Sequence, residues 1–307
     1  MKALVTGGAG FIGSHIVDRL LFDGHDVVVI DNESTDCHES FNWNDNAENY
    51  KYDIYDYDKI EPLFKNVDRV FHLAAEARIQ PAIQNPTLTT KTNVYGTCNV
   101  LQASRQNNVG RVMFSSTSAS YGLKNKAPVR EDMVPDCLNA YSITKVAGEN
   151  LCKMFYDLHG LETVCFRYFN VYGERQPVKG QYAPVIGLFQ RQHETGNPMT
   201  IVGDGKQRRD FTYVGDVVEA NMIASMSKSK DILGEVFNIG TGQNHSMWDL
   251  VKMISKETTL VENKHYRFIP ERPAEVKISL ADITKADKVL KWQPFMNLRE
   301  WLNTVKV

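Results

Sequence analysis

An apolar run, Lys2-Ala3-Leu4-Val5-Thr6, passes straight into Gly7-Gly8-Ala9-Gly10-Phe11-Ile12-Gly13, and helical spacing of apolar residues follows from Ser14 to Phe22. The order strand, glycine turn, helix satisfies this pattern. Glycine permits the tight turn and close helix packing, and lets an anion reach the backbone. Free N–H groups at the helix start favour a pyrophosphate. Gly7, Gly10, Phe11, Ile12 and Gly13 are therefore expected on the phosphate side of a dinucleotide. A second buried strand over Asp26–Ile30 ends at Asp31, 21 residues beyond Gly10, where a carboxylate can accept from both adenosine ribose hydroxyls. Asn32, Glu33, Ser34 and Thr35 follow without an arginine for a 2′-phosphate, which favours NAD over NADP.

Strand-like runs at Lys51–Ile54, Arg69–Ala74, Gly110–Ser116 and Glu162–Tyr168 alternate with helical stretches near Tyr57–Phe64, Thr87–Gln106 and Tyr141–His159. Such alternation implies an α/β fold with a Rossmann-type, doubly wound parallel sheet. Asn32–Asn49, rich in Asn, Asp, Glu and Ser, reads as a surface loop. Beyond residue 170 the order weakens, and we read residues 1–169 as the dinucleotide-binding domain and 170–307 mainly as a smaller, discontinuous substrate lobe. Returns to the main domain are expected near 214–245.

With 307 residues, 42% of them hydrophobic, the chain can bury a large core. A net charge of −2 argues against a nucleic-acid partner, while allowing a local phosphate pocket. The five cysteines (37, 98, 137, 152 and 165) are odd in number and at least 13 residues apart, so buried thiols are expected instead of disulfides or a zinc site. No targeting peptide or spanning apolar stretch is read at the start or elsewhere, and the expected location is cytoplasmic, away from membranes.

Tyr141 and Lys145, in Asn139-Ala140-Tyr141-Ser142-Ile143-Thr144-Lys145, stand four apart and share one helix face. An ammonium about 4 Å from the phenol, at an effective dielectric of about 20, would contribute roughly 4 kcal/mol, or about three pKa units. A phenolate base near neutral pH is the expectation. Such a pair is commonplace on a solvated helix; the glycine turn earlier in the chain is what makes it a redox candidate.

Taken in order, Gly7 to Gly13, Asp31-Asn32, Asp53-Ile54, His72-Leu73-Ala74-Ala75, Asn93-Val94-Tyr95-Gly96-Thr97, Tyr141 with Lys145, Arg167-Tyr168-Phe169-Asn170, Arg209-Asp210 and Arg272-Pro273 resemble the extended short-chain dehydrogenase/reductase family. Within it the chain is similar to the nucleotide-sugar epimerases, over nearly its whole length. The resemblance implies that Asp53 and Ile54 flank the adenine, that Ala74 and Ala75 line the pyrophosphate, that Asn93 sits beside the nicotinamide half, and that Leu73, Ser115 and Tyr168 also bind the cofactor. Asp53 capping a helix, and Asn93 satisfying buried backbone, are the plainer alternatives. His72 reads as structural, the other seven histidines lack ligand spacing, and no metal is expected.

Phe114-Ser115-Ser116-Thr117-Ser118-Ala119-Ser120-Tyr121-Gly122 resembles the family segment whose catalytic hydroxyl lies four residues before the tyrosine of Tyr-Gly. That residue is Thr117, with Ser118 next to it on the substrate side. Related dehydratases and decarboxylases carry an acid after this hydroxyl, where this chain has Ser118-Ala119. Without that general acid, reversible oxidation at C4 is expected in preference to elimination. The implied roles are Tyr141 as base, Lys145 supporting it, and Thr117 bonding the same sugar oxygen. Arg209 and Arg272 would grip the diphosphate, assisted by Asn170. The family's Arg-x-Gly-Asp is Arg272-Pro273-Ala274-Glu275 here, which puts Glu275 in doubt as a ribose ligand. Ser279, seven residues after Arg272, matches a size gate, and a small residue there suggests UDP-N-acetylhexosamines, with plain UDP-hexoses also admitted. Another nucleotide-sugar epimerase or a 4-keto-sugar reductase and, in another class, a non-catalytic dinucleotide-binding regulator remain the alternatives. The resemblance further implies a homodimer through the Thr87–Gln106 and Tyr141–His159 helices.

Overall fold

The structure, a computed structural model, describes residues 1–35, 40–178, 184–271 and 276–305. Seven strands form one parallel sheet in the spatial order Glu235–Ile239, Glu162–Tyr168, Arg111–Thr117, Arg69–His72, Lys2–Thr6, Asp26–Ile30, Glu48–Tyr50. Strand order reverses between Lys2–Thr6 and Arg69–His72, with Thr6 paired opposite His72. In open α/β sheets this switch point leaves a crevice at the carboxyl ends of the strands. The expected Rossmann-type architecture is what the chain adopts.

Alternate strand residues feed opposite faces of the sheet. Leu4, Val28, Val70, Val112 and Cys165 pack on one side with the helices Thr97–Gln106 and Ala140–His159. Val5, Val29, Phe71, Met113 and Phe166 pack on the other with Phe11–Phe22 and Val214–Met226. Burial on both faces explains why these strands read as continuous apolar runs. A separate cluster, including Tyr172, Phe189, Ile201, Phe211, Leu250 and Trp301, gathers the later elements. After contributing to that cluster the chain returns to the main sheet, where Glu235–Ile239 pairs beside Glu162–Tyr168.

Two expectations shift. The edge strand lies at Glu48–Tyr50, inside the stretch expected to be loop, because the Asp31 N–H donates to the Tyr50 carbonyl and pairing ends there. Lys51–Ile54 is consequently free to curve, bringing Asp53 and Ile54 over the sheet end. The long helix expected from Thr87 begins at Pro86 and is interrupted by a π-helical segment, Lys91–Gly96. A Cβ at Gly96 would lie 2.6 Å from the Ile54 side chain, so only glycine lets this segment close on that loop. Of the described cysteines, Cys152 and Cys165 are buried while Cys98 and Cys137 are half-buried, and all four are free thiols. No helix among the described residues is long and apolar enough to cross a membrane.

The helix Ala140–His159 is well delimited. Asn139 accepts from the Ser142 N–H in a capping box, and Gly160 ends the helix in the left-handed conformation. A buried ion pair pins it to the sheet: Arg167 donates to both oxygens of Glu149, at 2.9 and 2.7 Å. Arg167→Met should therefore cost about 3–5 kcal/mol in urea unfolding, and the double change Glu149→Met with Arg167→Met clearly less, because it strands no buried charge.

Candidate active site

The first turn of Phe11–Phe22 has no side-chain cap, so N–H groups at the start of the helix are left for a ligand. Gly7, Gly10, Phe11, Ile12 and Gly13 all line a cavity of about 760 Å³ at the switch point, a size suited to ligands. Within the turn, a Cβ on Gly13 would fall 2.1 Å from the Gly7 carbonyl oxygen. A Cβ on Gly10 would meet nothing closer than that same oxygen, at 3.3 Å. Gly10 thus presents bare backbone to open space, as a cradle for pyrophosphate requires. Asp31 is buried, and its carboxylate accepts from the Ala9 N–H at 3.1 Å and the Glu33 N–H at 2.9 Å. Burial raises its pKa, opposed by these backbone donors. A carboxylate offers about four acceptor positions, so room remains for ribose hydroxyls. Asn32 donates to Asp53 at 2.7 Å, which ties the two expected adenine-side residues together. Asp53 does not cap the following helix; Asp56 occupies that position. Lys51, the nearby cation, pairs with Glu33.

At the neighbouring strand end, Thr117, Tyr141 and Lys145 converge on the same cavity with Ser115, Ser118 and Tyr168. Thr117 accepts from the Ala119 N–H at 3.1 Å, leaving its hydroxyl proton for the Tyr141 phenol oxygen. Lys145 is buried and donates to the Ser115 carbonyl at 2.7 Å. Burial lowers its pKa to about 8. Burial also raises that of Tyr141, and the bond from Thr117 opposes the rise without reversing it. The expected acidic tyrosine is therefore corrected: dehydrating the phenol outweighs the bond from Thr117, and the Lys145 ammonium is directed to a carbonyl. Tyr168 accepts from Asn221 and Ser115, and burial pushes it up to about 12.

The opposite wall comes from the later elements. Arg208 and Arg209 part company: Arg208 binds Asn244, whereas Arg209 lines the cavity. Asp210, fully buried between them and the main sheet, accepts from the N–H groups of Thr241, Gly242 and Ala281. Asn170 donates to the Asp210 carbonyl at 2.7 Å and lines the cavity, as does Ser279, whose N–H donates to the Arg208 carbonyl. Leu73, Ala74, Ala75, Asp53 and Ile54 are also on the wall. Asn93, expected beside the nicotinamide, is instead buried behind it, where it bonds the Glu76 backbone and Thr144 while Thr92 faces the cavity. Arg272 and Glu275 lie outside the described residues.

Residues 4–305 match the sequence family described as GDP-mannose 4,6 dehydratase. The chain belongs to that family. Among solved structures, it is similar to a UDP-glucose 4-epimerase of Thermotoga maritima with UDP-glucose, at 38% identity and a TM-score of 0.90, covering 98% of this chain and 96% of that one. It is likewise similar to a UDP-N-acetylglucosamine 4-epimerase of Methanobrevibacter ruminantium in complex with UDP-N-acetylmuramic acid (34%, TM-score 0.89, covering 98% and 95%). A third, the UDP-glucose 4-epimerase of Thermus thermophilus complexed with NAD, shares 31% identity with a TM-score of 0.87, covering 98% and 96%. These likenesses place it in the extended short-chain dehydrogenase/reductase group of nucleotide-sugar epimerases.

For a member of this family, the dehydratase label does not extend to the residues after Thr117. They form a short 3₁₀ turn, Ser118–Tyr121, with no carboxyl group in it. Sequence reasoning passed over the apolar Val185, Ile186 and Phe211 and the polar Asn125 and Asn139 on the cavity wall. Val185 and Ile186 open the helix Val185–Glu194 and Asn139 caps Ala140–His159, positions whose local pattern gives the element but not the cavity it faces. The two glycines differ in what they are for, which a pair of variants separates. Gly10→Ala should keep the melting temperature within a few degrees yet lose most copurifying dinucleotide, whereas Gly13→Ala should lose about 3 kcal/mol or more of stability, read by differential scanning calorimetry.

Proposed function

We propose that the protein is a nucleotide-sugar 4-epimerase that retains NAD and acts on UDP-linked hexoses, N-acetylated ones included. The observation that carries this reading is the convergence of Thr117, Tyr141 and Lys145 on one cavity with the glycine turn, beside a Thr117 turn that carries no acid. Oxidation and reduction at C4 need one group that takes and returns a proton, whereas eliminating a hydroxide needs a further acid. The likeness to epimerases of UDP-glucose and UDP-N-acetylglucosamine supports the substrate class.

The glycine turn and the first helical N–H groups would hold the pyrophosphate, and Asp31 the adenosine ribose. Bound NAD supplies the hydride acceptor and a positive charge that offsets the cost of a buried phenolate. Tyr141 takes the proton of the sugar 4-hydroxyl and later returns it. Thr117 would turn its one hydroxyl proton from the Tyr141 phenol to this sugar oxygen, a bond that strengthens as charge develops there. Lys145, fixed by the Ser115 carbonyl, would support the tyrosine and hold ribose hydroxyls of the dinucleotide. Arg209 binds the diphosphate with Asn170 beside it, and Ser279 leaves space for a C2 substituent. The keto sugar turns over and receives the hydride on its other face, so the net redox change is zero.

The test is to incubate the purified protein, with no NAD added, with UDP-N-acetylglucosamine, UDP-glucose, GDP-mannose and dTDP-glucose separately, and resolve the products by NMR. The UDP-sugars should convert to their 4-epimers, and Tyr141→Phe should lower turnover on the order of 10²–10⁴-fold with dinucleotide content intact. Near-wild-type turnover by Tyr141→Phe would sink the assignment. Turnover that appears only when a keto sugar and reduced cofactor are supplied would replace it with a reductase.

A further inference from the structure

One buried titratable side chain has no part in the reaction above. His72 ends its strand at the switch point, with 1% of its surface exposed, and both ring nitrogens are hydrogen-bonded. The direction of those bonds follows from the partners. Thr97 directs its single hydroxyl proton to the Asn93 carbonyl at 2.6 Å, so toward His72 it can only accept, and His72 Nε2–H is the donor, at 2.9 Å. Burial pushes the His72 pKa down to about 3, with the charge of Lys145 acting the same way, so the ring is neutral. Nδ1 is then bare and accepts from the Thr6 hydroxyl at 2.7 Å. Thr6 accepts in turn from the Ala74 N–H, at 3.3 Å to its side-chain oxygen.

The result is a chain with one polarity running from the Ala74 N–H through Thr6, His72 and Thr97 to the Asn93 carbonyl. Asn93 passes it on: its side-chain amide brackets the Glu76 backbone and donates to Thr144 at 3.0 Å, and Thr144 donates to the Tyr141 carbonyl at 2.9 Å. We propose that His72 is a positioning residue, which locks the crevice floor at Thr6 and Ala74 to the π-helical segment and through it to the first turn of the helix carrying Tyr141. The inference rests on the function proposed above for its kinetic consequence, but its binding consequence stands independently.

His72→Phe keeps an aromatic ring against Phe114 and removes both bonds; Thr97→Val removes only the Asn93 arm, and Thr97→Ser retains the hydroxyl. Four quantities are read on each: NADH affinity by fluorescence titration, kcat and KM for the sugar at saturating NAD, and melting temperature. We expect His72→Phe to weaken NADH about fivefold and to lower kcat about tenfold with sugar KM within about twofold. Thr97→Val should reproduce the kcat loss while leaving NADH affinity near wild type, and Thr97→Ser should restore kcat. The double variant should be no slower than His72→Phe alone, since the two act through one connection. If both single variants keep wild-type kcat and NADH affinity while only the melting temperature falls, the role is structural and the proposal is overturned. Additive kcat losses would overturn it as well. Should His72→Phe fail to fold, the Thr97→Val and Thr97→Ser pair decides on kcat. A wild type that epimerises no sugar defeats the functional reading alone, and the His72→Phe effect on NADH, or for an unfolded variant that of Thr6→Val, then decides this one.

Discussion

The site depends first on how closely two backbone segments meet across the switch point. A Cβ on Gly7 would lie 2.7 Å from the Ala74 nitrogen, and Gly7 itself stands at φ +71°. Only glycine satisfies both demands. That contact lets the turn after the first strand and the end of the fourth share one floor, so helix N–H groups, Ala74 and Ala75 face the same volume. Were the segments held farther apart, the cavity would separate into a surface groove and an unrelated strand end. The later elements then close the volume from the other side through Arg209, Asn170 and Ser279, hung on the buried Asp210.

Within that volume the balance at Tyr141 is decided by dehydration. An ammonium a few ångströms away can offset several pKa units in a medium of intermediate dielectric. Lys145 does not do so here: burial is the larger effect on the phenol, and burial also lowers the pKa of the ammonium itself. At neutral pH the phenol therefore keeps its proton.

Much of the architecture was legible because it rests on local pattern. The glycine turn, the apolar strands and the four-residue spacing of Tyr141 and Lys145 each follow from short-range rules, and each is where those rules put it. The departures are non-local. Glu48–Tyr50 pairs because the Asp26–Ile30 edge is open to it, although its own residues read as loop. The π-helical interruption depends on Gly96 meeting Ile54, 42 positions earlier in the chain. Asn93 lies behind the wall because it bridges Glu76 and Thr144, partners that no spacing reveals. Whether Tyr141 is acidic or not is a question of water exclusion, which a sequence does not display. The apolar flank from Val185, Ile186 and Phe211 is likewise assembled by folding alone.

The hydrogen-bonded file behind the crevice begins at a backbone N–H and ends at a backbone carbonyl. Neither end exchanges its part: an amide does not readily surrender its proton, and a carbonyl has none to give back. The file therefore cannot reverse its polarity, and it cannot relay protons from one end to the other. Grotthuss-type conduction needs a donor and an acceptor that can trade places at each terminus. The two strand ends are thus stitched together by a line of hydroxyls and an imidazole that acts as an insulator, and the buried ammonium of Lys145 has no back door to solvent along it.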